Sequence, residues 1–389
     1  MHLVFATSIV PCGAPETGYE IANAAVLGAL TRAGVRVTVL GFCWPDSQPS
    51  NPERTVVLGN LEVRTDAVSA GRKLRWLVDA VRHGVPFSCA KLRVIRPANV
   101  RAALARLGPV DGVILNSVQF AGAFEEIFAD KPTIYVAHNV EYRSARENAA
   151  ASADLAGRLL YRREAQLLQA LEERLCSAAR FVFTFAEEDR VLLGVGDDAR
   201  SAALPLVTHD VAPVRKARQH EFDATLIGTW TWTPNRIGLD WFLGEVAPLL
   251  PENFRIAVAG RVPAGIAEAH PRIRFVGRVA NAAEFMRKAR VVPLISRAGT
   301  GVQLKTIETF ELGLPSVATS RSVRGIAEVP ANCVIADEPR AFALALEKMS
   351  REGADLDGSA FWHKQRDALD RQIRRGLAAL ETASDKAAA

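Results

Sequence analysis

One order of elements opens this chain and restarts past its midpoint: apolar strand, glycine-bearing loop, helix, β-branched strand. His2-Leu3-Val4-Phe5 runs into a loop with Pro11, Gly13 and Gly18, then an alanine-rich stretch of helical spacing over 20–32 that Gly34 ends, then a strand over 35–40. A strand that returns to its own sheet through a helix pairs in parallel with a right-handed crossover, so the opening is Rossmann-like. Further strands are legible at 112–115, 133–136 and 180–184, with a long helical pattern over 154–177 between the last two. The same order begins again with a strand at 224–227 and a helix over 237–249, followed by strands at 254–259, 273–276, 290–294 and 316–319 and a helix over 303–312. The 389 residues exceed the roughly 250–300 at which one core stops growing. A polar, basic, proline-containing stretch over 211–218 reads as a linker. The expected fold class is α/β, two Rossmann-like domains facing across a cleft, at 1–214 and 215–360, with a helix over 361–380 crossing back to the first domain and a frayed tail at 384–389.

Composition narrows the function. Hydrophobic residues make up 49% and charged residues 23%, the balance of an ordinary globular chain. The formal charge of +5 favours an anionic partner. No zinc-ligand spacing or nucleic-acid-binding motif accompanies it, so phosphorylated small molecules come ahead of nucleic acid. Five cysteines without a C-x-x-C pair, Cys12, Cys43, Cys89, Cys176 and Cys333, argue against a disulfide framework and for a reducing cytosol. The N-terminus lacks a basic leader and no apolar run reaches bilayer length, so a cytoplasmic location without membrane spans is expected.

The most informative segment runs from Arg297 through Gly299, Thr300 and Gly301 to Lys305 and Glu308. It joins a strand end to a helix start through two glycines, so backbone N–H groups and the helix N-terminus can face an anion such as a diphosphate. Arg297 and Lys305 would add charge, and Glu308, one turn on, would accept hydrogen bonds from vicinal hydroxyls. On spacing alone a tight turn with a solvated Arg and Lys remains the alternative.

The string Gly-x-Gly-x-x-Leu-Lys-x-x-Glu, followed by Gly313-Leu314-Pro315, resembles the donor-binding core of the GT4-like retaining glycosyltransferases. Gly228-Thr229-Trp230-Thr231-Trp232-Thr233-Pro234-Asn235 is similar to their first C-domain glycine loop, and looser likeness covers nearly the whole chain. The resemblance implies a GT-B fold, with Glu308 at the ribose and Lys305 and the glycine-loop amides (Gly228, Gly299, Gly301) at the diphosphate. Two positions depart from the pattern. The family's Glu-x7-Glu pair would place an acid where Thr300 stands, and its commonly basic first-loop residue is Thr229, leaving diphosphate charge to Arg297, Lys305 and Arg236.

His138 follows a strand end, where an imidazole could reach a donor sugar or acceptor, or else satisfy a local backbone group. Glu141 is a weaker candidate, because it can simply begin the next helix. The window 67–106 is basic, with Arg72, Lys73 and Arg75 beside Trp76, and reads as an acceptor or membrane docking segment or as a solvated helix. Asp355 and Asp357 match a metal-binding Asp-x-Asp in letters only, so no metal or other cofactor is expected.

The resulting expectation is a glycosyltransferase, metal-independent and by resemblance retaining, that moves sugar from a UDP- or GDP-sugar to a glycan or polyprenyl-linked acceptor in surface polysaccharide synthesis. Its partners would be the nucleotide-sugar, that acceptor and an anionic inner membrane face, with no nucleic acid. The alternatives are a silent GT-B scaffold, a two-lobed binding protein and a nucleotide-sugar epimerase.

Overall fold

The computed structural model describes residues 1–15, 17–64, 67–152 and 154–388, with side chains described up to residue 381. The frayed tail expected at 384–389 lies outside the described side chains. Contacts divide the chain into one unit of residues 1–204 with 368–389 and a second of residues 205–367.

The first unit holds a seven-stranded sheet: β1 (His2–Ile9), β2 (Arg36–Cys43), β3 (Thr55–Asn60), β4 (Gly112–Asn116), β5 (Thr133–Ala137), β6 (Phe181–Thr184) and β7 (Ser201–Ala203). Their order is β3-β2-β1-β4-β5-β6-β7, and neighbours pair in parallel. Helices on both faces of a parallel sheet bury its central strands twice over, which is why β4, β5 and β6 are buried along their whole length. Gly41 is required where β2 runs past the irregular stretch of β1, since a Cβ there would stand 2.3 Å from the Thr7 carbonyl oxygen.

The second unit holds six strands: β8 (Phe222–Ile227), β9 (Ile256–Ala259), β10 (Ile273–Gly277), β11 (Ala289–Leu294), β12 (Ser316–Ala318) and β13 (Cys333–Ile335), in the order β10-β9-β8-β11-β12-β13, again parallel. In both sheets the order reverses beside the first strand of the unit, between β1 and β4 and between β8 and β11. Open parallel sheets bind ligands at such switch points, outside the carboxyl ends of the strands.

The basic stretch 211–218 lies inside the second unit. Arg218 pairs with Asp355 and donates to the Ala289 carbonyl, and upstream the Thr208 amide and His209 ring bond Glu311. Asp355 is thereby occupied, and Asp357 accepts from the Ser359 amide at the start of the last helix, Gly358–Ala388. Among the described residues no cluster of His, Cys, Asp or Glu could hold a metal ion, and no helix is long and apolar enough to cross a membrane.

Candidate functional site

In the second unit the two glycine-bearing segments meet at the switch point. β8 ends into Gly228, whose amide bonds the Ala259 carbonyl at 3.3 Å, and β11 ends into the turn of Gly299 and Gly301. Both glycines take the left-handed backbone, φ 94° and 75°, which a side chain would strain. A Cβ on Gly299 would touch Pro234 at 3.4 Å, and one on Gly238 would stand 2.2 Å from the Ile295 carbonyl oxygen. The segment 228–238 is thus laid directly against the turn that follows β11.

Helix Leu304–Glu311 leaves this turn with no side chain capping its N-terminus, so its first-turn amides carry the partial positive charge of an uncapped helix end. Lys305, half-buried in that turn, places its ammonium 5.2 Å from the Trp230 ring centroid. Burial pulls its pKa down to about 8. Half-buried Glu308, one turn on, is pushed above the usual carboxylate range by burial, against the opposing pull of His209. Glu311 is fully enclosed and accepts from the Thr208 amide (2.9 Å), the Thr208 hydroxyl and His209 Nδ1 (2.7 Å). Glu311 in turn raises the His209 pKa.

Two expected diphosphate ligands are turned elsewhere. The Arg297 guanidinium lies 4.6 Å over the Trp241 ring and donates to the Asp337 carbonyl, because that aromatic face and acceptor flank the turn on its far side. Arg236 pairs with Asp240 on its own helix at 2.6 Å. A guanidinium the sequence did not single out, Arg324, donates to the Gly299 carbonyl at 3.1 Å. Thr229 is exposed and Thr300 is buried within the turn.

In the first unit His138 follows β5 and reaches the end of β4, beside the switch point, through Asn116. Its Nε2 is 2.8 Å from Asn116 Oδ1, at the end of β4. Asn116 Nδ2 in turn donates to Thr7 Oγ1, the Tyr19 hydroxyl and Asn23 Oδ1. The rings of Tyr19 and Phe185 lie 4.9 and 4.7 Å from the imidazole, and enclosure holds its pKa down near about 3, so the ring is neutral at physiological pH. Ser117, next in chain, is in the left-handed region at φ 73°, a strain often found at functional sites. Glu141 starts the helix Glu141–Ala151, but it is also half-buried, takes hydrogen bonds from Asn139 and Gln119, and is raised in pKa by burial.

The docking segment divides. Arg72 and Arg75 are exposed and Lys73 half-buried on helix Ala70–His83, whereas Trp76 is only 3% exposed and packs edge-on against Phe87, with Lys91 over its ring. Helical rotation puts Trp76 on the core face, so it is removed from any surface role.

Residues 221–352 match a family model described as glycosyl transferases group 1. No curated protein matches the sequence. Among solved structures, sucrose-phosphate synthase from Thermosynechococcus elongatus superposes with TM-score 0.66 at 14% identity, over 100% of this chain and 99% of that one. HepE from Anabaena, in complex with UDP-glucose, gives 0.59 at 13% identity over 97% and 100%. WaaG, a glycosyltransferase involved in lipopolysaccharide biosynthesis, gives 0.57 at 17% identity over 98% of each chain. The architecture is therefore GT-B, and the second unit carries a group 1 glycosyltransferase domain. The group 1 domain marks the protein as a glycosyltransferase.

Proposed function

We propose that this enzyme transfers a sugar from a UDP- or GDP-sugar to a glycan or polyprenyl-linked acceptor of a surface polysaccharide, with retention and without a metal. The observation that carries the donor assignment is the uncapped helix start behind Gly299 and Gly301, with Lys305 in its first turn and Glu308 one turn on. Backbone amides and one ammonium would hold the diphosphate, and the Glu308 carboxylate would accept from vicinal hydroxyls. HepE, a structural neighbour, was solved with UDP-glucose, which supports a uridine nucleotide here. His138, held neutral, would act on the sugar or acceptor as a hydrogen-bonding group and not as a cation.

In a retaining front-face transfer the leaving diphosphate accepts the acceptor's proton while the amides and Lys305 stabilise the charge that develops on it. Helix Ala70–His83 would bring the enzyme to an anionic membrane surface where a lipid-linked acceptor resides.

The test is a thermal-shift screen against UDP, GDP, ADP and their sugar conjugates, with a chelator present. A ligand at 100 times its Kd stabilises by about 2.7 kcal/mol. One nucleotide should raise Tm, and Glu308→Ala should abolish the rise. Silence across the whole set would sink the donor assignment, and stabilisation that depends on added metal would sink metal independence. A donor that binds but is never consumed would favour the silent scaffold, a reading motivated by Thr300 standing where the family carries an acid.

A further inference from the structure

We infer that Trp230 is a positioning residue for the donor diphosphate, acting by keeping the Lys305 ammonium charged and aimed; this rests on the donor reading above. Among the described residues that ammonium meets no carboxylate and no hydrogen-bond acceptor, only the Trp230 face at 5.2 Å. A half-buried lysine with neither counter-ion nor acceptor is costly unless an aromatic quadrupole or an incoming anion compensates it. The indole supplies the first and leaves the ammonium's donors for the second.

The indole is itself fixed. It is 1% exposed, its Nε1 donates to the Ala259 carbonyl at 2.8 Å, and its amide bonds the Arg261 carbonyl at 3.0 Å. Its six-membered ring lies so close to Gly228 that a Cβ there would stand 3.2 Å from it. Gly228 thus makes room for the indole, and Gly260, where a Cβ would stand 1.9 Å from the Gly228 carbonyl oxygen, makes room for that backbone.

Three arginines around the turn are bonded within the fold. Arg297 is on the Asp337 carbonyl, Arg324 on the Gly299 carbonyl and Arg236 on Asp240, while Glu308 lies within the field of His209. Arg261 and Arg278 lie on the loops after β9 and β10. Burial is the cause of the lowered Lys305 pKa, and the Trp230 ring is the group set against the ammonium.

The experiment is calorimetric titration of the full chain with UDP, GDP and ADP between pH 6.5 and 9.5. The wild type should bind one of them, losing affinity as pH rises through the Lys305 titration, and Lys305→Met should erase that alkaline limb. Trp230→Leu should weaken binding about three- to tenfold at neutral pH and move the limb to lower pH, while Trp230→Phe, which keeps a π face, should restore most of both. A ring-fluorinated tryptophan placed at 230 keeps the shape and weakens the negative face, so it should shift the limb in the Leu direction even if Trp230→Leu fails to fold. An alkaline limb that vanishes in Lys305→Met yet stays put in the fluorinated and Phe proteins would overturn the role of Trp230 and leave the donor reading standing. A wild type that binds none of the three nucleotides at any pH would overturn the donor reading, and this inference with it.

Discussion

His138 shows how far enclosure sets the chemistry of a side chain in the first unit. Its folded pKa lies near about 3 against 6.5 for a free imidazole. Between those values the unfolded chain binds a proton that the native protein excludes, so native stability falls as pH drops from 6.5 and is level above it. At pH 5 the deficit is roughly 2 kcal/mol, from about 1.4 kcal/mol per unit. His138→Gln keeps a group able to bond Asn116 and removes the titration. Urea unfolding at pH 7.5 and pH 5.0 should show the wild type losing about 2 kcal/mol more than the variant on acidification. Equal losses would mean that the imidazole is not held neutral. The sequence pointed to His138, Lys305 and Glu308 because each stands in a local pattern of strand end, glycine and helix start. Asn116, Tyr19, Trp230 and the pair of His209 with Glu311 were not legible, because each partner comes from a segment far along the chain and carries no local signature.

Among elements, helix Ala70–His83 bears the most direct test. Ser69 caps its start by accepting from the Arg72 amide, and Gly84 ends it at φ 62°. Trp76 and Ala80 face inward, leaving Leu74, Val78 and Val81 exposed at 62%, 54% and 61% along one stripe, flanked by Arg72, Arg75 and Arg82. An apolar stripe edged with arginine matches an interface of acyl chain and anionic headgroup. Each basic residue near such a surface contributes about 1 kcal/mol, so changing Arg72, Lys73 and Arg75 together to Ser should weaken binding to phosphatidylglycerol vesicles by about two orders of magnitude. Cosedimentation that is unchanged by the triple substitution, or equal on neutral vesicles, would sink the docking role. The central strands were readable as β-branched or apolar runs. Of the edge strands β10 was legible at 273–276, but three were not: β3 is Thr-Val-Val-Leu-Gly-Asn and half exposed, while β7 and β13 are three residues each. Strands this short acquire their conformation from ladder pairing with a neighbour and leave little periodicity of their own. Helix 237–249 was anticipated as one piece, but it begins earlier, at Thr233 with Pro234 in its first turn, and gives way after Trp241 to a π turn and then a 3-10 turn with Pro248. Proline at the start of a helix is favourable, and the second proline forbids continued α geometry.

At the scale of the molecule, the last helix belongs to both units. Trp362 Nε1 donates to the His209 carbonyl and Gln365 Nε2 approaches the Leu206 carbonyl, so its first turns are part of the second unit. From residue 368 it completes the first: Asp370 takes a bidentate bond from Arg32, Arg375 donates to the Ala199 carbonyl, and a Cβ on Gly376 would collide with Phe183 at 2.4 Å. Leu369, Ile373, Leu377 and Leu380 are each at most 7% exposed. At about 1.5–3 kcal/mol per buried aliphatic side chain, these four are comparable with the whole stability of a domain, typically about 5–15 kcal/mol. The first unit's strands and helices are therefore all made before residue 204, yet its core closes only with the final segment. A chain ending at Asp367 should lose the unfolding transition of the first unit while the second keeps its own, including the rise in Tm with the nucleotide that binds the full chain. Scanning calorimetry with and without that nucleotide separates the two. Both transitions surviving near their full-length temperatures would show that the first unit is closed by its own strands and helices and not by the shared helix.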